Sequence, residues 1–254
     1  MRTILNELPT VVPFIGESRT AMGNEAAKDI ASELRRRLDT QDEVRMIFAA
    51  APSQSEMLQA LISAPGIDWT RVTAFHMDEY LDLPADAPQR FGLWLRRHLF
   101  DYLPFKQIHL MEPEEQPESF SVDYAALLAE KPIDIACCGI GTNCHLAFND
   151  PPADLADPRD VKIVLLDEAC RQQQVDDLCF ATFADVPTRA VTLTVPRLLA
   201  VDRIFCCVPG ASKSEAVRCT LEEPISGMHP SSALRLHENW HLYLDIDSAT
   251  SLKR

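Results

Sequence analysis

The run Ile133–Cys138 (IDIACC) is apolar at nearly every position, not at alternate ones. That pattern marks a short strand covered on both faces, and such strands belong to parallel sheets flanked by helices. Gly139 and Gly141 then break the run, where backbone can turn tightly and approach a ligand. Asn143, His145, Asn149 and Asp150 follow, and Pro151-Pro152 closes the stretch by forbidding an immediate helix. Open α/β sheets hold ligands where a strand empties into such a turn, outside the strand's carboxyl end. Taken alone, the stretch is also compatible with an ordinary surface loop.

The rest of the chain repeats the alternation of strand and helix. A helix is expected over residues 20–39, where Ala21, Ala26, Ile30, Leu34 and Leu38 form one stripe. Buried strands are expected over 43–50 and 71–77, with a helix from about 54 to 63 between them. A helix over 89–103 should turn Phe91, Leu95, Leu99 and Tyr102 inward, and a short strand near 107–110 and a helix over 118–130 lead to the central run. Further strands are expected at 161–166, 190–195, 203–208 and 240–244, with a helix ending near 221 and a short one over 229–236. No internal repeat, low-complexity tract or long linker divides the 254 residues. The fold class is therefore α/β with a largely parallel sheet, in a single domain.

Lys and Arg total 24 against 38 Asp and Glu, a net charge of −14. This balance opposes nucleic acid and anionic membrane as partners, and any anionic substrate would need a local positive potential. No run reaches the length of a membrane span, and the N-terminus lacks an uninterrupted signal-peptide core, so the expected location is cytoplasmic. The eight cysteines include two adjacent pairs and no Cys-x-x-Cys, which suits buried free thiols better than zinc ligands or disulfides. Cys144 beside His145 could be a nucleophile, but no second feature supports it.

Four features sit at strand ends or helix starts. Ser53-Gln54-Ser55-Glu56 reads as a Ser-x-x-Glu capping box, which is a helix start and also an anion site of free N–H groups and hydroxyls. Asp78-Glu79 ends a strand; the two carboxylates point different ways, so one can face a cleft while the scaffold holds the other. The third feature is the 139–150 loop. Lys213, in the first turn of a helix, opposes the macrodipole unless an anion binds beside it. Residues 167–188 have weak periodicity, and Arg171 with three glutamines after it suits either a solvated helix face or a mobile cover. On one rim of a doubly wound sheet these features make an anion cradle, a carboxylate base and a histidine near a second carboxylate. That combination suits proton transfer on a phosphorylated small molecule.

FHMDEYLDLP and GIGTNCHLAFNDPP, in that order, resemble the two signature segments of the glucosamine-6-phosphate deaminase (isomerase) family, relatives of the 6-phosphogluconolactonases. Weaker similarity runs through AAAPSQSEMLQAL, DEACRQQQV, RAVTLTVPRLL and VPGASKSEAV. The resemblance implies a Rossmann-like doubly wound domain with helices on both faces and a helical lid, here about residues 151–188. It implies conversion of an amino-sugar 6-phosphate to a ketose phosphate and ammonia, with no metal or organic cofactor, and leaves room for a homo-oligomer. Asp78 would move a proton between C1 and C2, with Glu79 supporting, and His145 would open the sugar ring, oriented by Asp150 and Asn143. Ser53, Gln54, Ser55, Gly139, Gly141, Arg171 and Lys213 would hold the sugar phosphate. Asn143 stands where the well-studied deaminases have aspartate, and Asp150 where glutamate is usual. Lactone hydrolysis with His145 as the water-activating base, and a sugar-phosphate sensor without chemistry, are the alternative readings.

Overall fold

The computed structural model describes residues 11–112 and 117–253. Residues 1–10, part of the N-terminal stretch expected to lack a signal-peptide core, lie outside the described residues. The chain runs β1 (Phe14–Gly16), α1 (Arg19–Leu38), β2 (Val44–Phe48), α2 (Ser55–Ile62), β3 (Val72–His76), β4 (Asp78–Tyr80), α3 (Phe91–His98), β5 (Gln107–His109), α4 (Pro117–Ala129) and β6 (Ile133–Cys138). It continues through β7 (Val161–Leu165), α5 (Glu168–Asp176), β8 (Arg189–Leu193), α6 (Val195–Leu199), β9 (Val201–Val208), α7 (Ser214–Glu222) and β10 (Trp240–Asp245).

Seven strands form one sheet in the order β1-β10-β9-β6-β2-β3-β5, every pair parallel. β2, β3 and β6 are buried at every residue, in keeping with their mostly apolar runs; Arg45, Thr73, His76 and Asp134 are the polar exceptions. Side chains alternate across the sheet, which explains the adjacent cysteines: Cys137 and Cys207 enter the core under α1, α2 and α3, while Cys138 and Cys206 enter the one under α4 and α7. In the first core Met22, Ala26, Ile30 and Leu34 of α1 are fully buried, and cutting such a leucine to alanine costs about 2–5 kcal/mol. The α/β class with helices on both faces is thus observed.

Three expectations are corrected. Val161–Leu165 and Arg189–Leu193 do not join the main sheet; with Asp78–Tyr80 they make a separate antiparallel sheet in the order β4-β8-β7. The capping box does not form, because Pro52–Gln54 coils into a 3-10 turn and Glu56 instead pairs with Arg19 at 2.9 Å. The helix expected over 89–103 stops at His98 and gives way to a 3-10 turn, which leaves Tyr102 64% exposed. Phe14–Gly16 and Val195–Leu199, a strand and a helix, were not anticipated.

Connections from β2 lead toward β3 and β5, whereas those from β6 lead toward β9 and β10, so the winding reverses between β2 and β6. The carboxyl ends at such a reversal part to leave a crevice.

Candidate active site

A cavity of about 320 Å³ fills that crevice. Its walls include Ser53 and Gln54 after β2, Asp78 on β4, Gly139, Gly141 and His145 after β6, and Lys213 ahead of α7. Side chains up to 160 residues apart in sequence, Ser53 to Lys213, thus meet on one rim.

Asp78 is carried into the cavity because a single residue separates β3 from β4, where the chain leaves the parallel sheet to pair with Thr192 of β8. The residue is 6% exposed, and no donor within hydrogen-bond reach satisfies its carboxylate among the described residues. Burial, and then the charge of Glu79, push its pKa well above the ordinary aspartate value. Glu79 points the other way and accepts N–H bonds from Tyr80, Phe91 and Gly92, so it caps the start of α3. Burial still outweighs those bonds and raises its pKa to about 7.

The 139–150 loop is a tight knot. Gly141 N–H donates to the His145 carbonyl and Cys144 N–H to the Gly141 carbonyl, both at 3.0 Å, with Cys144 in the left-handed region at φ 70°. Asn143 Oδ1 accepts from the His145 N–H, and its Nδ2 donates to Asp150 Oδ1 at 3.1 Å and Asp167 Oδ2 at 3.3 Å. His145 Nδ1 lies 3.3 Å from Asp150 Oδ1, on an approach too oblique for a formed hydrogen bond. Burial alone would raise the Asp150 pKa; His145, Asn143 and the Asp167 N–H outweigh it and hold the carboxyl below the usual range. An ionised carboxylate therefore backs the imidazole.

At the other end, Gln54 is fully buried and donates from Nε2 to the Cys207 carbonyl at 3.1 Å and to Ser53 Oγ at 3.2 Å. A Cβ on Gly139 would come within 3.0 Å of that Nε2, so the two loops approach this closely only over a glycine. Lys213 is 6% exposed, pairs with no carboxylate among the described residues, and has its pKa lowered to about 8 by burial. A desolvated cation beside a hydroxyl and an amide is suited to a phosphate.

Two expected members of the cradle lie outside the cavity wall in this structure. Ser55 begins α2 and does not line the cavity, because the 3-10 turn before it rotates it away. Arg171 does not line the cavity either: its guanidinium donates to the Phe183 and Val186 carbonyls and stacks on the Phe183 ring at 4.1 Å. Its neighbours fill the place instead. Gln173, Gln174 and Asp177 line the cavity, and Gln173 Oε1 accepts from the Thr142 N–H and hydroxyl, docking α5 on the 139–150 loop. Gln89 and Trp94 also line it. The only signal for the α5 wall was the run of glutamines, which read equally as a solvated face.

His145, Asp150 and Cys170 also bring ligand atoms within 4.8 Å of one another, and burial and nearby carboxylates push the Cys170 thiol up. The remaining groups form an acid–base set with an anion-binding end.

Residues 17–242 match the family model described as glucosamine-6-phosphate isomerases/6-phosphogluconolactonase. The chain is 31% identical over 214 residues to a glucosamine-6-phosphate deaminase of Listeria innocua, covering 84% of this chain and 90% of that one. It is 29% identical over 230 residues to that of Streptococcus gordonii, covering 90% and 95%. Among solved structures it is similar to a monomeric glucosamine-6-phosphate deaminase, with a TM-score of 0.87 at 24% identity, covering 96% of this chain and 100% of that one. The 6-phosphogluconolactonase of Trypanosoma brucei follows the same fold with a TM-score of 0.77 at 15% identity, covering 96% and 99%.

Proposed function

Since the chain belongs to the glucosamine-6-phosphate isomerase/6-phosphogluconolactonase family, we propose that it converts an amino-sugar 6-phosphate, glucosamine-6-phosphate or an epimer, and water into a ketose 6-phosphate and ammonia. The observation that carries this reading is the unpaired, buried Asp78 carboxylate on the wall of the same cavity as His145 and Lys213.

Lys213, Ser53 and the polar turn at Gln54 take the phosphate, supplying the local positive charge that an acidic chain otherwise lacks. His145, backed by Asp150 and Asn143, moves the proton from the C1 hydroxyl to the ring oxygen, which opens the sugar to an amino-aldehyde. Asp78 then removes the C2 proton to give an enolamine and returns it to C1, leaving an imine at C2. Water adds to that carbon, and the C–N bond breaks to release ammonia. Burial makes Asp78 a stronger base than a solvated aspartate, as abstraction from carbon requires. Gln173 and Gln174 place α5 over the cavity, which supports the 151–188 segment acting as a lid on a single domain.

A lactonase would need His145 to activate water and nothing from position 78, so the buried second carboxylate favours the deaminase branch. The eight cysteines, all free and seven of them buried, support a reducing, cytoplasmic setting. No helix among the described residues is long and apolar enough to cross a membrane. The test is ammonia release from glucosamine-6-phosphate by the purified protein. Asp78→Asn should lose about 10²–10⁴-fold in turnover while keeping the fold. A mutant that turns over normally removes Asp78 from the mechanism, and a wild type that opens a 6-phosphogluconolactone without releasing ammonia replaces the deaminase reading.

A further inference from the structure

Behind the catalytic loop, on the side away from the cavity, lies a second cluster that the reaction does not use. Cys144, Cys219 and His229 bring two sulfurs and an imidazole nitrogen within 4.8 Å of one another. They come from three separate pieces of chain: the catalytic loop, the middle of α7 and the turn before Pro230. We propose that these three side chains form a binding site for a thiophilic divalent cation of the zinc type.

The donor set is the first argument. Two thiols and an imidazole are soft or borderline donors that hold zinc, and three protein ligands leave a fourth position for water. Zinc sits about 2.3 Å from sulfur and about 2.0 Å from nitrogen, so the donors need close by only about 1 Å to surround it. The second argument is that each donor lacks a strong competing partner. Cys144 Sγ has only weak partners, the Ala216 carbonyl at 3.9 Å, the Ser231 side chain and the Cys219 thiol of the same cluster, and the His229 imidazole takes part in no hydrogen bond among the described residues. Cys219 Sγ contacts Glu215 and Arg218, which are already tied to each other at 2.7 Å.

The scaffold is the third argument. Ser231 N–H donates to the Cys144 carbonyl at 2.9 Å, and its hydroxyl bonds Thr220 of α7 at 2.6 Å, so all three pieces are already cross-linked. The turn that carries His229 is pinned where Ala153 N–H donates to the Gly227 carbonyl. A Cβ on Gly227 would stand 2.1 Å from the Ala153 carbonyl oxygen, so this packing admits no side chain there. His229 is partly exposed, which gives an ion a way in. Binding displaces one proton from each thiol to solvent and forms two metal–thiolate bonds and one metal–imidazole bond, with no change of oxidation state. Because Cys144 precedes His145, an ion here would brace the catalytic loop from behind.

The test uses the full-length protein, stripped with a chelator and kept reduced, titrated with cobalt as a spectroscopic stand-in for zinc. The expected result is one cobalt per chain with near-ultraviolet thiolate-to-cobalt charge-transfer absorption, displaced by zinc, and a rise in the melting temperature on adding zinc. Cys219→Ser and His229→Ala, each checked for a metal-free melting transition like that of the wild type, should weaken cobalt binding by at least about tenfold. The zinc-induced rise in melting temperature should disappear with it. Absence of charge-transfer bands in the wild type overturns the proposal, as does their survival in Cys219→Ser. Bands that vanish only in Cys170→Ser would place the ion beside His145 and Asp150 and also overturn it.

Discussion

Gly141 lies so close beneath the His145 imidazole that a Cβ placed on it would stand 2.2 Å from both Cε1 and Nε2. The glycine is there for the ring's sake, since its own backbone is not in the left-handed region. Gly141→Ala therefore leaves the fold intact and pushes the imidazole off Asp150. A displacement of about 1 Å can cost about 10²-fold in rate. We expect kcat/KM to fall by about that factor while the melting temperature drops by less than about 4 °C, the equivalent of about 1 kcal/mol in a chain of this size. Steady-state kinetics and a thermal melt decide it.

The pH dependence follows from Asp78 and Lys213. Asp78 holds its proton more firmly in the folded chain than in water, so the base is ionised only above a raised pKa. kcat/KM therefore climbs with pH, and its acid limb lies well above pH 4. The same shift acts on stability. The protonated form is favoured on folding, so this contribution is complete below the ordinary aspartate value and is lost as pH rises through the raised one. Asp78→Asn cannot ionise, and its stability relative to the wild type should increase with pH. Lys213, lowered to about 8, loses its charge above that value. Affinity for an amine-free hexitol 6-phosphate should fall above about pH 8, and Lys213→Arg should abolish that fall. Inhibitor titrations across pH, together with denaturant melts of both aspartate forms, measure these effects.

The main sheet was legible because a strand covered on both faces leaves a short, mostly apolar run bounded by turn residues, as in VRMIF and IDIACC, each broken by a single charge. Asp78–Tyr80 leaves no such record. It is three residues long with two carboxylates, and only its pairing with Ala190–Thr192 makes it a strand. Asp78 and His145 could be picked out because both stand where strands end. The α5 wall could not, since Gln173 and Gln174 look solvated until both are found buried and Thr142 is seen to dock on Gln173. Arg171 and Ser55 show a related effect: residue type suggests an anion contact, while the rotation of each helix leaves both outside the cavity wall here.

Glu79 should matter for stability and only indirectly for turnover. Its carboxylate accepts three backbone N–H groups, two of them at the start of α3 at 3.0 Å each. Glu79→Ala leaves those donors without a partner in a buried place, a loss of about 1–3 kcal/mol. Glu79→Gln keeps one acceptor oxygen and should cost less. Denaturant melts should rank wild type above Glu79→Gln above Glu79→Ala, and equal stability of all three would show that the cap contributes nothing.

Arg171 and Lys213 are both cations near the cavity, and the structure gives them different work. Arg171 spans the Phe183 and Val186 carbonyls and stacks on Phe183, so it holds the segment after α5 in shape. Lys213 lines the cavity and has no carboxylate partner among the described residues. Removing Arg171 therefore frees two carbonyls, whereas removing Lys213 takes away the counter-charge proposed for the phosphate. Arg171→Ala should lower the melting temperature by about 2–4 °C per kcal/mol lost and leave the affinity for a hexitol 6-phosphate within about threefold. Lys213→Ala should weaken that affinity by more than about tenfold, the loss of a charge-assisted contact of about 1.5–3 kcal/mol, with little effect on melting because a buried charge has also been removed. If Arg171→Ala instead weakens phosphate binding as strongly as Lys213→Ala does, the guanidinium must leave Phe183 and enter the cavity when substrate binds. The segment after α5 would then rearrange on closure.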